Sequence, residues 1–396
     1  MATEDANLEG LDLDAEELEP EGGDPIEVEV LEDDPEGPGV SDVAPPDRRL
    51  ITQPYDLGVS DLVSQIPDRM HLQPVYQRRY VWDNKKASKL MESLLINVPI
   101  PVCYLAEETD GTRSVIDGQQ RLRSLHRFLE NQFALTGLEV LPELNRKRFY
   151  ELTDRQQRLI RNRTIRCIVI SEDSDPDIRF DVFERLNTGS VALTAQELRN
   201  SVYRGSFNQL LRQLGRSGEL SRCVAGRSDT RMTFEELVLR FFALDERLTT
   251  YRPPLKRFLN DYMRDNRELS ADSTAEKRDR FTEAATRAYS VYGGNCFRRG
   301  AGSVGDWEWL PAINSAVFDV VMLNLIRIDT APQELAERAD EIQHATAELM
   351  FENEDFSDAI SLATGDRARL RRRVSIFSET LAELGLGSGL AAVLAD

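Results

Sequence analysis

Asp117, Gly118, Gln119, Gln120, Arg121 and Arg123 stand within seven residues, inside the stretch SVIDGQQRLRSLHRFLEN at 114–131. A turn needs the Asp-Gly pair, but it does not need two glutamines and two arginines after it. A strand, then Asp-Gly, then a helix start turns backbone N–H groups toward an anion, aided by the helix dipole. Gly118 carries no side chain to obstruct a phosphate approaching the backbone. Arg121 and Arg123 fall in the first turn or so, where positive charge works against the dipole unless an anion lies between them. Asp117 could cap the helix or hold a divalent cation beside that phosphate. On spacing alone, a capped helix with solvated arginines explains the stretch at least as well.

A second cluster, PVYQRRYVWD at 74–83, alternates Tyr76, Tyr80 and Trp82 with Gln77 and Arg79. Aromatic rings can stack on bases while arginine holds phosphate. Taken alone, it reads equally as a strand with aromatics inward and polar residues in water. A third cluster, FERLNTGSVALTAQELRNSVYRG at 183–205, places Asn187-Thr188-Gly189 at a helix end, either as a pocket wall or as a simple C-cap.

The elements that must position these clusters follow from periodicity. Leu90, Met91, Leu94, Leu95 and Val98 recur at helical spacing behind Asp83, a candidate N-cap, and Pro99 and Pro101 stop the run. VCYLA and RSVI read as two strands joined by a turn near Asp110-Gly111. Thr153 with Gln156, and Thr194 with Glu197, read as capping boxes; Leu193 and Leu198 form a hydrophobic staple for the second. TIRCIVI at 164–170 reads as a buried strand. Asp175-Pro176 fits the start of a helix carrying Ile178, Val182, Phe183 and Leu186 inward. Beyond Gly205 nearly every segment has helical periodicity.

Charge divides the chain. Residues 1–47 hold 18 acidic side chains and no Lys or Arg, so they account for 18 of the 20 net negative charges. This composition predicts a disordered acidic tail over 1–48, solubilising or competing for a basic groove. Residues 48–250 hold 31 basic and 27 acidic side chains and are mildly basic. No apolar run is long enough to span a membrane and no secretory leader is legible, so a cytoplasmic protein is expected. Cys103, Cys167, Cys223 and Cys296 form no CxxC pair, and three histidines do not make a zinc site with them.

YQRRYVWD, PIPVCYL, VIDGQQRLRSL and FERLNTGSVALTAQELR, in that order, resemble the N-terminal domain of GmrSD-type modification-dependent restriction endonucleases. That family is marked by a DGQQR signature and belongs to the ParB/sulfiredoxin-like superfamily. The resemblance covers roughly residues 50–205. It implies a ParB/sulfiredoxin-like domain at 49–205; with the helical periodicity beyond it, an α+β fold is expected in which an all-helical domain follows at 206–396. It also implies a role in defence against phage and foreign DNA, nucleoside triphosphate binding and hydrolysis, and contact with DNA, modified or not. By position, Asp117, Gln119, Gln120 and Arg121 would be catalytic, with Asp117 also holding Mg²⁺. Gly118, Arg123, Ser124 and Asn187 would bind the nucleotide. Tyr76, Gln77, Arg78, Arg79, Tyr80 and Trp82 would meet DNA.

Members of this family often carry an HNH nuclease, which needs clustered histidines. Here His71, His126 and His344 stand apart, so a stand-alone form without that nuclease is expected. Two readings follow: a nucleoside triphosphate hydrolase, or a non-catalytic DNA-sensing subunit that recruits a separate nuclease or defence-system subunit. A membrane partner is not expected, and assembly into a homo-oligomer stays open.

Overall fold

The computed structural model describes residues 28–29, 49–72, 82–108, 110–186, 193–226, 229, 231–362 and 364–395. Its strands are β1 (Val28–Glu29), β2 (Thr52–Gly58), β3 (Met70–His71), β4 (Cys103–Glu107), β5 (Arg113–Asp117), β6 (Thr164–Ile170), β7 (Arg298–Ser303) and β8 (Asp306–Asn314). The helices that position the site are α1 (Val59–Ser64), α2 (Asn84–Leu95), α3 (Gln119–Leu129), α4 (Asp154–Asn162), α5 (Pro176–Leu186) and α6 (Ala195–Val202). The fold is α+β: an N-terminal sheet, then a region that is mostly helix.

Five strands form a mixed sheet in the order β2-β6-β4-β5-β3. β2 pairs antiparallel with β6, β6 parallel with β4, β4 antiparallel with β5, and β5 parallel with β3. Side chains alternate across a strand with period two, and here the alternation separates two cores. Cys103, Leu105, Cys167 and Val169 face one core with α1 to α4, where Leu62, Leu94, Leu122, Leu125 and Phe128 are buried. Ala106 and Ile170, one position on, face a second core that runs through the helical region to Leu394.

The expected caps are in place. Asp83 accepts from Lys86 N at 2.7 Å and opens α2. Thr153 and Gln156 bond reciprocally, as do Thr194 and Glu197. Asp175 accepts from the N–H groups of Asp177 and Ile178 at 2.9 and 3.1 Å. β2 was not foreseen: TQPYDLG is mostly exposed, and its Pro54 is tolerated because the strand lies at the sheet edge.

Beyond Gly205 the structure is helical as expected, with one correction to the all-helical reading. The β7–β8 hairpin interrupts it, closed by a turn at Val304-Gly305. Within the acidic segment expected to be disordered, Val28 and Glu29 pair in parallel with Ile313 and Asn314 on the same hairpin. Among the described residues, no helix is long and apolar enough to cross a membrane.

A buried ion triad fixes the helical core. Arg240 donates to Asp319 Oδ1 at 3.1 Å and Oδ2 at 2.5 Å, and Arg373 donates to Oδ2 at 2.9 Å. Arg373 also reaches the carbonyls of Thr364 and Ala359 at 2.7 and 3.2 Å, so much of its donor capacity is met. The two cores are tied together at their border. Arg204 meets Glu108 at 3.1 Å and Ser114 Oγ at 2.5 Å; within the second core, Arg264 meets Asp177 at 2.9 Å.

Candidate nucleotide and nucleic-acid site

β5 ends at Asp117, and α3 starts at Gln119, so the chain reverses at Gly118 alone. Gly118 adopts φ +100°, a left-handed conformation that side chains other than hydrogen rarely take. It also lies hard against β4: a Cβ there would stand 2.5 Å from Cys103 Sγ and 3.1 Å from Cys103 Cβ. The glycine is thus required by the turn and by the thiol beneath it. The sequence had suggested room for a phosphate; the structure gives a packing reason instead.

Asp117 does not cap the helix, as one sequence reading had it; α3 has no side-chain cap at all. Its carboxylate Oδ2 is bound by Arg121 Nη2, one turn along, and the side chain remains 44% exposed. The same guanidinium donates through Nη1 to the carbonyls of Pro101 and Val102. With the Arg121 side chain 12% exposed, its donors are directed mainly into the protein. It holds Asp117 and the entry to β4 in fixed relation.

The two glutamines divide a different task. Gln119 donates through Nε2 to the Leu72 carbonyl, and Gln120 accepts through Oε1 from Trp82 N at 3.3 Å. They grip the two ends of the segment 73–81. Within that segment, Tyr76, Gln77, Arg78, Arg79 and Tyr80 lie outside the described residues, as does Asn187. Trp82 is half-buried, packs on the first core, and has the Lys86 ammonium 4.9 Å from its ring centroid.

Ser124 was expected beside the nucleotide. It is fully buried, with its hydroxyl donating to the Gln120 carbonyl at 2.7 Å. Arg123 projects from another side of α3, into a cleft that also takes His71, His126 and Arg127. From the sequence, His71 and His126 were weighed only against a nuclease site and Arg127 was not singled out. Positions 123, 126 and 127 are one helical turn apart, which was the available signal.

Cys103 and Cys167 sit opposite each other on β4 and β6 and are both buried. A hydrogen bond from Cys167 holds the Cys103 thiol below its ordinary range, while the same bond pushes Cys167 up. For a metal the donors do not fit a resident ion. Among the described residues no group of three or more His, Cys, Asp or Glu could hold one, and Asp117 is already paired with Arg121. His344 stands 3.5 Å from Glu348 on an exposed helix face.

A strand, a left-handed glycine and an uncapped helix, with a carboxylate at the strand's end, define an α+β domain built around one polar junction. Residues 59–204, from the start of α1 to the arginine bridging the two cores, match the family model of the GmrSD restriction endonuclease, N-terminal domain. Over this stretch the chain is similar to that domain. No curated protein matches the chain.

Proposed function

We propose that this is a restriction-type defence protein whose GmrSD-type domain binds and hydrolyses a nucleoside triphosphate at the start of α3 and engages DNA. The observation that carries the reading is that α3 opens without a side-chain cap, directly behind a half-exposed Asp117 locked in place by Arg121. Uncapped first-turn N–H groups and the helix dipole suit a phosphate. Asp117 would orient the attacking water. Any Mg²⁺ would arrive as the nucleotide's own counter-ion, a hard cation that commonly keeps its waters and uses few protein ligands. Arg121 is a positioning residue here. Gln119 and Gln120 hold Leu72 and Trp82 beside the same junction, and Tyr76, Gln77, Arg78, Arg79, Tyr80 and Trp82 would meet DNA.

The test is phosphate release from ATP, GTP, CTP and UTP with Mg²⁺, with and without duplex DNA, for wild type and Asp117→Asn. Release by the wild type that is lost in a folded Asp117→Asn variant is the expected result. Absence of release from all four nucleotides, or release that survives the substitution, refutes hydrolysis at this site.

One observation favours a second reading, a DNA-sensing subunit that binds without turnover and recruits a separate nuclease. The Arg121 guanidinium is directed to Asp117 and two carbonyls, which limits what it can offer a transition state. Salt-dependent DNA binding with no phosphate release would select this reading.

A further inference from the structure

The β7–β8 hairpin has two edges, and an open strand edge is a template for pairing with another chain. β7 is covered. The Gly300 N–H donates to Met350 Sδ at 3.3 Å, and a Cβ at Gly300 would stand 2.9 Å from Phe351 Cζ. The helix Ala339–Glu352 therefore lies close against that strand. β8 is nine residues long, with β7 on one side and, among the described residues, only Val28 and Glu29 paired on the other. Its sequence, DWEWLPAIN, carries Trp307, Trp309, Leu310 and Ile313, and the two tryptophan rings lie 4.3 Å apart between centroids. An apolar strand of that length is a liability at an edge.

Pro311 has no N–H and blunts the middle of β8. The stretch past it is where Val28 and Glu29 pair, in parallel with Ile313 and Asn314. There β8 also runs into the helix Ser315–Leu325, whose first N–H groups bond the Asn314 side chain at 2.9 Å. In the sequence, Ile26, Val28 and Val30 alternate with Glu27 and Glu29 inside a segment otherwise rich in Gly, Pro and acid. β-Branched residues at alternate positions favour a strand. Carboxylates and a nearby proline discourage a further strand from adding in turn.

We propose that the segment bearing Val28 and Glu29 is an edge cover: docked in cis on β8, it keeps that edge from pairing with a second copy of this chain. Two ladder pairs are weak by themselves. The cover is tethered to β2 through the intervening chain, however, and a tethered strand competes with a second molecule at an effective concentration of about millimolar. The cover is independent of any chemistry at the DGQQR junction.

The experiment uses the full chain in two ways. Val28→Cys/Ile313→Cys puts thiols on registered partners. Neighbouring strands stand about 4.7–4.9 Å apart, inside the Cα window of about 4.4–6.8 Å for a disulfide. Val28→Cys/Glu308→Cys is the out-of-register control. Glu308 is exposed and Ile313 buried, so an undocked tail would react faster at 308. The four native cysteines are buried. After mild oxidation with diamide, non-reducing electrophoresis and peptide mass spectrometry should show a 28–313 link within one chain, formed several-fold faster than 28–308. In the second arm, Val28→Pro/Glu29→Pro removes both backbone N–H groups of the cover. Light scattering should then show concentration-dependent association beyond that of wild type, and adding Ala312→Lys, a charge on the bared edge, should suppress it. A link between two chains, or linkage at 308 as fast as at 313, overturns the cis cover. So does a Pro variant with the mass of wild type at every concentration, or association that survives Ala312→Lys.

Discussion

Gly118→Ala is the sharpest test of how the junction is built. Two costs are visible. The backbone at φ +100° is unfavourable for an L side chain by about 1–2 kcal/mol. The new methyl would also overlap Cys103 Sγ, 2.5 Å away, and overpacking of this kind costs about 1–3 kcal/mol. Together these predict a loss of about 2–5 kcal/mol, a large share of a typical total of about 5–15 kcal/mol. The two terms can be separated, because Cys103→Ala removes the sulfur but leaves the dihedral strain. In Cys103→Ala/Gly118→Ala the overlap share should largely return; Cys103 Cβ, 3.1 Å from the new methyl, would still have to give slightly. Urea denaturation of the four proteins in a double-mutant cycle measures this directly. A Gly118→Ala protein within about 0.5 kcal/mol of wild type, or a double variant no more stable than Gly118→Ala, would refute the packing argument.

Three further outcomes are expected. Asp319→Ala strands two buried guanidinium groups and should cost about 3–5 kcal/mol, or about 6–20 °C in Tm for a body of this size; a loss under about 1 kcal/mol in thermal unfolding contradicts the triad. Burial pushes the Glu108 carboxyl above its ordinary value of 4.5, with Arg204 opposing. Its stabilising share is thus complete below 4.5 and disappears as pH rises through the raised folded value. Wild type should lose stability relative to Glu108→Gln over that weakly acidic window, and an opposite slope in pH-dependent denaturation sinks the assignment. Thr153→Ala removes half of a capping box and should cost about 1 kcal/mol, read from the shift in denaturation midpoint.

What the sequence could reveal depended on how local the signal was. The capping boxes at Thr153 and Thr194, the cap at Asp83 and the strands around 103–107, 113–117 and 164–170 rest on neighbours within a few residues, and all are present. β2 was missed because TQPYDLG buries little and owes its pairing to the distant β6; the β7–β8 hairpin was missed because RRGAGS buries little and shows no apolar alternation, although its pairing is local. At the junction, the helix start behind Asp117-Gly118 was legible, but its internal bonds were not. That Arg121 turns back to Asp117 and the Pro101 carbonyl depends on β4 lying alongside. The burial of Ser124 was not legible, because a motif position says nothing about which helical face is buried. His71 could join Arg123 only once β3 was paired to β5.

The two-sided sheet bears on how this protein could be cut or recombined. α5 and α6 belong by chain order to the segment that ends at Arg204, yet Phe180, Phe183, Leu198 and Val202 are buried in the core of the helical region. A fragment ending near 204 would carry that apolar face into water, with Ala106 and Ile170 of the sheet uncovered behind it. Grafting this region onto another protein therefore requires a recipient that offers the same floor to α5 and α6, together with a donor for the Asp177 carboxylate in place of Arg264. The helical region is the foundation on which the DGQQR domain is seated.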